Sequence, residues 1–117
     1  MPTTVLVVDD HQGFRSRARL LLESDGYEVV GEAADGRSAV DAARRLHPDL
    51  VLLDVQLPDL DGFEVAAQIT GEDGGPAVVL TSSRDWSDSR EQLARSGASG
   101  FVPKDQLSGA TIAEILS

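Results

Sequence analysis

Two unbroken aliphatic runs, Val5-Leu6-Val7-Val8 and Leu50-Val51-Leu52-Leu53, each end on carboxylates: Asp9-Asp10 after the first and Asp54 after the second. Bulky aliphatics without polar alternation are the pattern of a strand buried on both faces, and such strands belong to parallel sheets covered by helices on each side. In an open sheet of this kind, residues at the carboxyl ends of strands face the crevice where ligands bind. The carboxylates are therefore expected at a crevice. For Asp54 alone a second reading stands beside this one, in which its side chain caps the turn that follows.

That turn is Leu57-Pro58-Asp59-Leu60-Asp61-Gly62. Proline sets φ, aspartates bond to nearby backbone, and glycine is expected here to supply a positive φ. Elsewhere the chain alternates in the same manner. After Asp9-Asp10, a helix is expected from Phe14 to Leu22 with Phe14, Ala18, Leu21 and Leu22 inward, ended by Asp25-Gly26-Tyr27. Glu28 to Ala33 reads as a more polar strand suited to a sheet edge. Asp35-Gly36 opens a helix with Ala39, Val40, Ala43 and Leu46 on one face, stopped by His47-Pro48-Asp49. Gly62 to Ile69 is a short helix with Phe63, Ala66, Ala67 and Ile69 inward, followed by Gly71 to Pro76 as a loop. Ala77 to Leu80 is a fourth strand, Trp86 to Ser96 a polar helix and Gly100 to Val102 a fifth strand. A last helix, Ala110 to Leu116, carries Ile112, Ile115 and Leu116 on one side. Strand and helix alternate five times, which with short connections means an α/β doubly wound, five-stranded parallel sheet in a three-layer sandwich.

The 117 residues, 41% of them apolar, are enough for one domain and too few for two. With no cysteine there is no thiolate nucleophile, disulfide or zinc-thiolate site, and a reducing cytoplasm is the expected location. The first apolar run is too short for a membrane span or a signal sequence. A net charge of −10, from 20 acidic and 10 basic residues, argues against direct contact with a nucleic-acid backbone.

In a sheet of order 2-1-3-4-5, strands 1 and 3 flank the point where the winding reverses, so Asp9, Asp10 and Asp54 meet in one crevice. Three adjacent carboxylates repel one another, and such a set either takes up protons or holds a cation; Mg²⁺ suits an all-oxygen site. Strands 4 and 5 add Ser82 and Lys104 to the same rim. A hydroxyl and an ammonium facing an acidic cluster suit a site that must accept a phosphoryl group. Singly, Ser82 also reads as a strand-end turn residue and Lys104 as a solvated lysine.

The whole chain resembles the receiver domain of two-component response regulators, a flavodoxin-like fold. The residues that carry the resemblance are Asp9-Asp10, the run from Asp54 to Gly62, Ser82, Gly97-Ala98-Ser99-Gly100-Phe101 and Lys104, in this order and at these spacings. It implies one receiver domain over residues 1–117, with Asp54 accepting a phosphoryl group from the phosphohistidine of a sensor histidine kinase. By the same resemblance Asp10, Asp54 and the backbone carbonyl of Gln56 bind Mg²⁺, with Asp9 acting through water. Lys104 then pairs with a phosphoryl oxygen and Ser82 bonds another. As Ser82 moves, Phe101 turns, and the face formed by the fourth helix, fifth strand and fifth helix changes shape. Phe101 also reads as a plain core aromatic. Gln56 and Arg84 flank the path of attacking water and are candidates for setting the acyl phosphate's lifetime. The implied output is a separate DNA-binding domain or a downstream protein, with homodimerisation a further possibility; neither membrane nor direct nucleic-acid binding is expected.

Two departures stand out. Many receivers carry proline directly after the lysine, whereas here Pro103 precedes Lys104 and Asp105 follows it, so the lysine must be aimed by something else. Ser82 is chosen over its neighbours Thr81 and Ser83 by its spacing to Lys104. His11 reads as a solvent-facing loop residue, and His47 as a cation at a helix end. Trp86, just beyond the Ser82 loop, is expected to report on Mg²⁺ or a phosphoryl mimic by fluorescence. Aspartyl-phosphate hydrolases place a second acid two residues after the nucleophile, where this chain has Gln56. A nucleotide-binding flavodoxin-like domain wants a glycine- or hydroxyl-rich loop after strand 1, where Asp9-Asp10 would repel phosphate. An adaptor that never takes a phosphoryl group is disfavoured by the intact acidic set with Ser82 and Lys104.

Overall fold

The aliphatic runs become strands and the amphipathic stretches helices, in strict alternation. The computed structural model describes residues 2–71, 74–83 and 90–117. The elements are β1 (Thr4–Val8), α1 (Gln12–Ser24), β2 (Glu28–Ala33), α2 (Gly36–Leu46), β3 (Leu50–Asp54), α3 (Gly62–Thr70), β4 (Ala77–Ser82), α4 (Arg90–Ser96), β5 (Gly100–Pro103) and α5 (Gly109–Leu116). A 3₁₀ turn over Lys104–Gln106 joins the last two.

All strand pairs are parallel, in the order β2-β1-β3-β4-β5. The polar strand β2 is an edge, as its sequence predicts, and a register shift interrupts its pairing with β1 between Val5 and Leu6. β1 and β3 lie side by side, Val8 opposite Leu53, so both acid-bearing tips emerge together.

Side-chain alternation divides the core into two. Val5, Val7, Leu50, Leu52, Val79 and Val102 pack beneath Phe14, Ala18 and Leu22 of α1 and Ile112 of α5. Leu6, Val8, Val51, Leu53, Val78 and Leu80 pack against α2 and α3, with Leu93 of α4 and Phe101 at the margin. Each fully buried leucine among them contributes roughly 1.5–3 kcal/mol relative to exposure, which fixes the strands in this register.

Helix starts follow local chemistry. Asp35 caps α2 by accepting from Ser38 N, Asp61 caps α3 by accepting from Phe63 N, and Ser108 and Thr111 form a capping box at α5. At the end of α1, Gly26 takes φ 92°, the left-handed conformation that the turn into β2 requires.

Several sequence expectations are corrected. Gly62 does not adopt a positive φ. Glycine is needed there because a Cβ would come within 2.3 Å of the Asp54 carbonyl oxygen and 2.6 Å of Val55 Cα. Leu21 is 43% exposed: each i+4 step advances about 40° round the helix, so the stripe Phe14, Ala18, Leu22 leaves it at the margin. In α3 it is Val65 that is buried, while Ala67 faces solvent because it lies well over 100° round the helix from Val65. Leu116 lies on the same side of α5 as Ile112, one turn on, yet as the last residue of the helix it is 37% exposed. β4 continues through Thr81 and Ser82 because both still pair with β5. The helix expected from Trp86 falls partly outside the described residues, as do Arg84 and Trp86 themselves; the described part is α4.

Candidate functional site

The site is assembled at the carboxyl tips of β1, β3, β4 and β5. On β1 and β3, the alternation that sends Val7 and Leu52 toward α1 and α5 does the same for the next odd or even residue, Asp9 and Asp54. Both are buried, with Asp9 fully enclosed and Asp54 4% exposed. Asp10 and His11 stand above them at the surface. One ligand atom from each of Asp9, Asp10, His11 and Asp54 falls within 4.8 Å of the other three. This donor set, chiefly carboxylate oxygen with solvent access through Asp10, fits a hard divalent ion that keeps part of its water shell.

Asp54 serves two purposes with its two oxygens. Oδ1 accepts from the backbone N–H of Gln56 at 3.2 Å, which is the turn-capping reading of this residue. Oδ2 accepts from Lys104 Nζ at 3.4 Å and stays toward the cluster. Burial raises the Asp54 pKa above the usual aspartate range, and the charge on Asp9 adds to the rise. The Gln56 N–H and the Lys104 ammonium pull it back without cancelling it.

Lys104 lies closest to Asp9, with Nζ 2.6 Å from Oδ2. The contact pairs the ammonium with a carboxylate oxygen of a fully buried residue, an ion pair at hydrogen-bonding distance. The same ammonium stands 4.6 Å from the centre of the Phe14 ring. Burial works against the charge on Lys104, yet hydrogen bonding to Asp9 and attraction to both aspartates outweigh it, and its pKa is raised. Among the described residues there is no cis peptide bond. The aim of Lys104, left open by the displaced proline, is set by Asp9, Phe14 and the 3₁₀ turn.

Asp9 is fixed from all sides. Its Oδ1 accepts from His11 N at 2.8 Å and lies 3.2 Å from His11 Nδ1, and its backbone oxygen accepts from Arg15 Nη1 at 2.6 Å. Arg15 is itself tied through Nε to Glu32 on β2. His11 is solvent-exposed, as its position in the sequence predicts, but its ring turns back onto Asp9 and Asp10.

Ser82 ends β4, buried, on the face that holds Leu80 and Phe101; Phe101 is half-buried. Thr81 lies on the other face, opposite Asp54 and Val102 in register and thus on the side of the acidic cluster. Thr81 is fully buried, and its Oγ1 has no hydrogen-bond partner. Gln56 is exposed in the turn after Asp54, where it bridges to Asp61.

Residues 5–116 match the family model described as the response regulator receiver domain. The chain belongs to the response regulator receiver family. It is 42% identical over 107 residues to a protein-glutamate methylesterase/protein-glutamine glutaminase of Alkalilimnicola ehrlichii, covering 89% of this chain and 27% of that protein. It is 39% identical to the transcriptional regulatory protein PdtaR of Mycobacterium tuberculosis, covering 89% of this chain and 50% of the relative. Among solved structures, it is similar to the signal receiver domain of the response regulator NarL from Mycobacterium tuberculosis. The TM-score there is 0.88 at 33% identity, covering 99% of this chain and 98% of that one. The chain thus spans half or less of these two curated relatives.

Two residues of this receiver's pocket escaped sequence reading, Phe14 under the lysine and Arg15 on the Asp9 carbonyl, while Thr81, opposite Asp54, was weighed only as a neighbour of Ser82. Phe14 and Arg15 look like ordinary residues of an amphipathic helix, and only the packing of α1 over β1 brings them to the site. Thr81 had a signal, since alternation along β4 puts it on the Asp54 side. A separate cavity, lined in part by Arg44, His47, Asp49 and Pro76, opens at the amino ends of β3 and β4, away from the carboxylates.

Proposed function

We propose that this receiver domain is a phosphorylation-dependent switch, in which Asp54 takes a phosphoryl group from the phosphohistidine of a sensor histidine kinase. The observation that carries the reading is the convergence of Asp9, Asp10 and Asp54 with a lysine ammonium 3.4 Å from Asp54 Oδ2. Asp54 Oδ2 forms a bond to phosphorus as the donor's P–N bond breaks, and the histidine leaves as imidazole after taking a proton. Asp10, Asp54 and the Gln56 carbonyl would hold Mg²⁺, with Asp9 acting through water; the ion offsets the negative charge that gathers between carboxylate and phosphoryl oxygens.

Lys104 is held near the nucleophile but pairs more closely with Asp9. A phosphoryl oxygen on Asp54 would compete for that ammonium and draw it across. Ser82, on the Phe101 face of β4, supplies the hydroxyl whose inward movement opens room for Phe101. The face formed by α4, β5 and α5 then carries the signal to an output partner. Gln56 is exposed where it can order water near the acyl phosphate, and Arg84 is proposed for the same role from the sequence alone.

The coverage of the curated relatives supports an output segment or partner beyond this domain, DNA-binding in regulators of transcription. The acidic charge of −10 makes direct nucleic-acid contact by this domain unfavourable. Among the described residues, no helix is long and apolar enough to cross a membrane. The setting proposed for a kinase-driven, cysteine-free domain is the cytoplasm.

Incubation with a small phosphodonor and Mg²⁺ followed by intact-mass measurement tests the assignment. One labile phosphate on the wild type and none on Asp54→Asn is the expected result. Phosphate retained on Asp54→Asn would place the acceptor elsewhere.

A further inference from the structure

Among the described residues, His11 is the one imidazole that the geometry gathers with the three carboxylates. Its Nδ1 lies 3.0 Å from Asp10 Oδ1 and 3.2 Å from Asp9 Oδ1, while its ring stays open to solvent. Two ligands at right angles on an ion with bonds of about 2.1 Å stand about 3.0 Å apart, so this spacing is that of neighbouring positions on one octahedral ion. We propose that His11 is a direct ligand that makes the pocket select later first-row transition dications, such as Co²⁺, over Mg²⁺. This inference rests on the reading of the acidic cluster as a divalent-ion site.

The chemistry follows from the donor. Mg²⁺ is hard, prefers oxygen and gives up water reluctantly, so an imidazole adds little to its binding. Co²⁺, Ni²⁺, Cu²⁺ and Zn²⁺ accept imidazole readily, and their affinity for mixed nitrogen and oxygen sites exceeds that of earlier ions. The ring is also aligned in advance. Backbone N–H donation from His11 to Asp9 Oδ1 at 2.8 Å fixes the residue beside the cluster, and Asp9 Oδ2 is occupied by Lys104. The carboxylate of Asp10 is thus left to share an ion with His11 and Asp54. His11 occupies the position before α1 but makes no side-chain capping bond, so replacing it leaves the helix start intact.

The test is titration calorimetry of the intact chain with Mg²⁺ alone and Co²⁺ alone, on the wild type, His11→Ala and His47→Ala. NMR of the histidine rings during Co²⁺ titration supplies a direct readout. The expected result is tighter Co²⁺ than Mg²⁺ binding in the wild type, with paramagnetic shifts of the His11 ring. In His11→Ala the Co²⁺ affinity should fall ~10–100-fold while Mg²⁺ affinity changes by less than about threefold. His47 lies at the far end of α2, and His47→Ala should match the wild type.

An equal loss for both ions in His11→Ala overturns the inference, because the ring would then act through loop structure or charge. Equal affinities in the wild type, or Co²⁺ binding without a His11 shift, overturn it as well. Absence of binding by either ion would instead refute the reading of the cluster as a metal site.

Discussion

At the scale of single residues, Asp54 is held at a cost to stability. Its carboxyl pKa is raised, first by burial, so folding favours the protonated form and penalises the ionised one. The sign is the reverse of that for a salt-bridged aspartate. The penalty is fully present above the folded pKa and vanishes as pH falls through the ordinary aspartate value of 3.8. Asp54→Asn is therefore expected to melt a few degrees above the wild type at pH 7, with the gap closing toward pH 3. Thermal melts across that window read it directly, and an unchanged gap would contradict the burial argument.

Thr81 makes a second residue-scale case. Its buried Oγ1 has no partner, and an unsatisfied buried hydroxyl costs about 1–3 kcal/mol. Thr81→Val keeps the shape and removes the polar atom, so it should raise stability by about 1 kcal/mol in urea denaturation. Loss of stability would mean that the hydroxyl has a partner in solution. Lys104 is the counterpart to both: its raised pKa stabilises the fold below the ordinary lysine range and loses that effect as pH rises through the folded value.

At the scale of elements, the β3–α3 connection decides whether Asp54 is presented at all. Gly62 N donates to the Val55 carbonyl at 2.7 Å, and the turn closes so tightly that no Cβ fits against the Asp54 and Val55 backbone. Gly62→Ala is expected to destabilise the domain by about 1–3 kcal/mol and to weaken divalent-ion binding along with it. Equilibrium denaturation and metal titration on the same variant test both. Asp59, in the same turn, accepts from Gly36 N and Arg37 N at the start of α2, and these backbone bonds, the Gly36 bond first, lower its pKa. One turn thus positions Asp54, caps α3 through Asp61 and secures α2.

At the scale of the whole molecule, the pocket gathers like charges that the sheet holds in place regardless of their repulsion. A ligand that binds only the folded state adds stability by mass action. Mg²⁺ at 100 times its dissociation constant should add about 2.7 kcal/mol, roughly 10 °C in melting temperature, and Asp10→Asn should abolish most of that gain. Differential scanning calorimetry with and without Mg²⁺ measures it. A melting point indifferent to Mg²⁺ would show that the fold tolerates the three carboxylates unaided.

The sequence by itself determined the sheet, its order and the meeting of Asp9, Asp10 and Asp54, because unbroken aliphatic runs ending in carboxylates admit few other arrangements. It also announced Lys104 and Ser82 by their place after strands 5 and 4. Only tertiary structure decided that Lys104 leans on Asp9 and Phe14, that Gly62 is there for lack of room, that Thr81 lies buried without a partner and that His11 turns back onto the acids. Periodicity along a chain states which face a side chain occupies. The distance between atoms on different elements depends on how a helix settles over a sheet, and no local pattern encodes it.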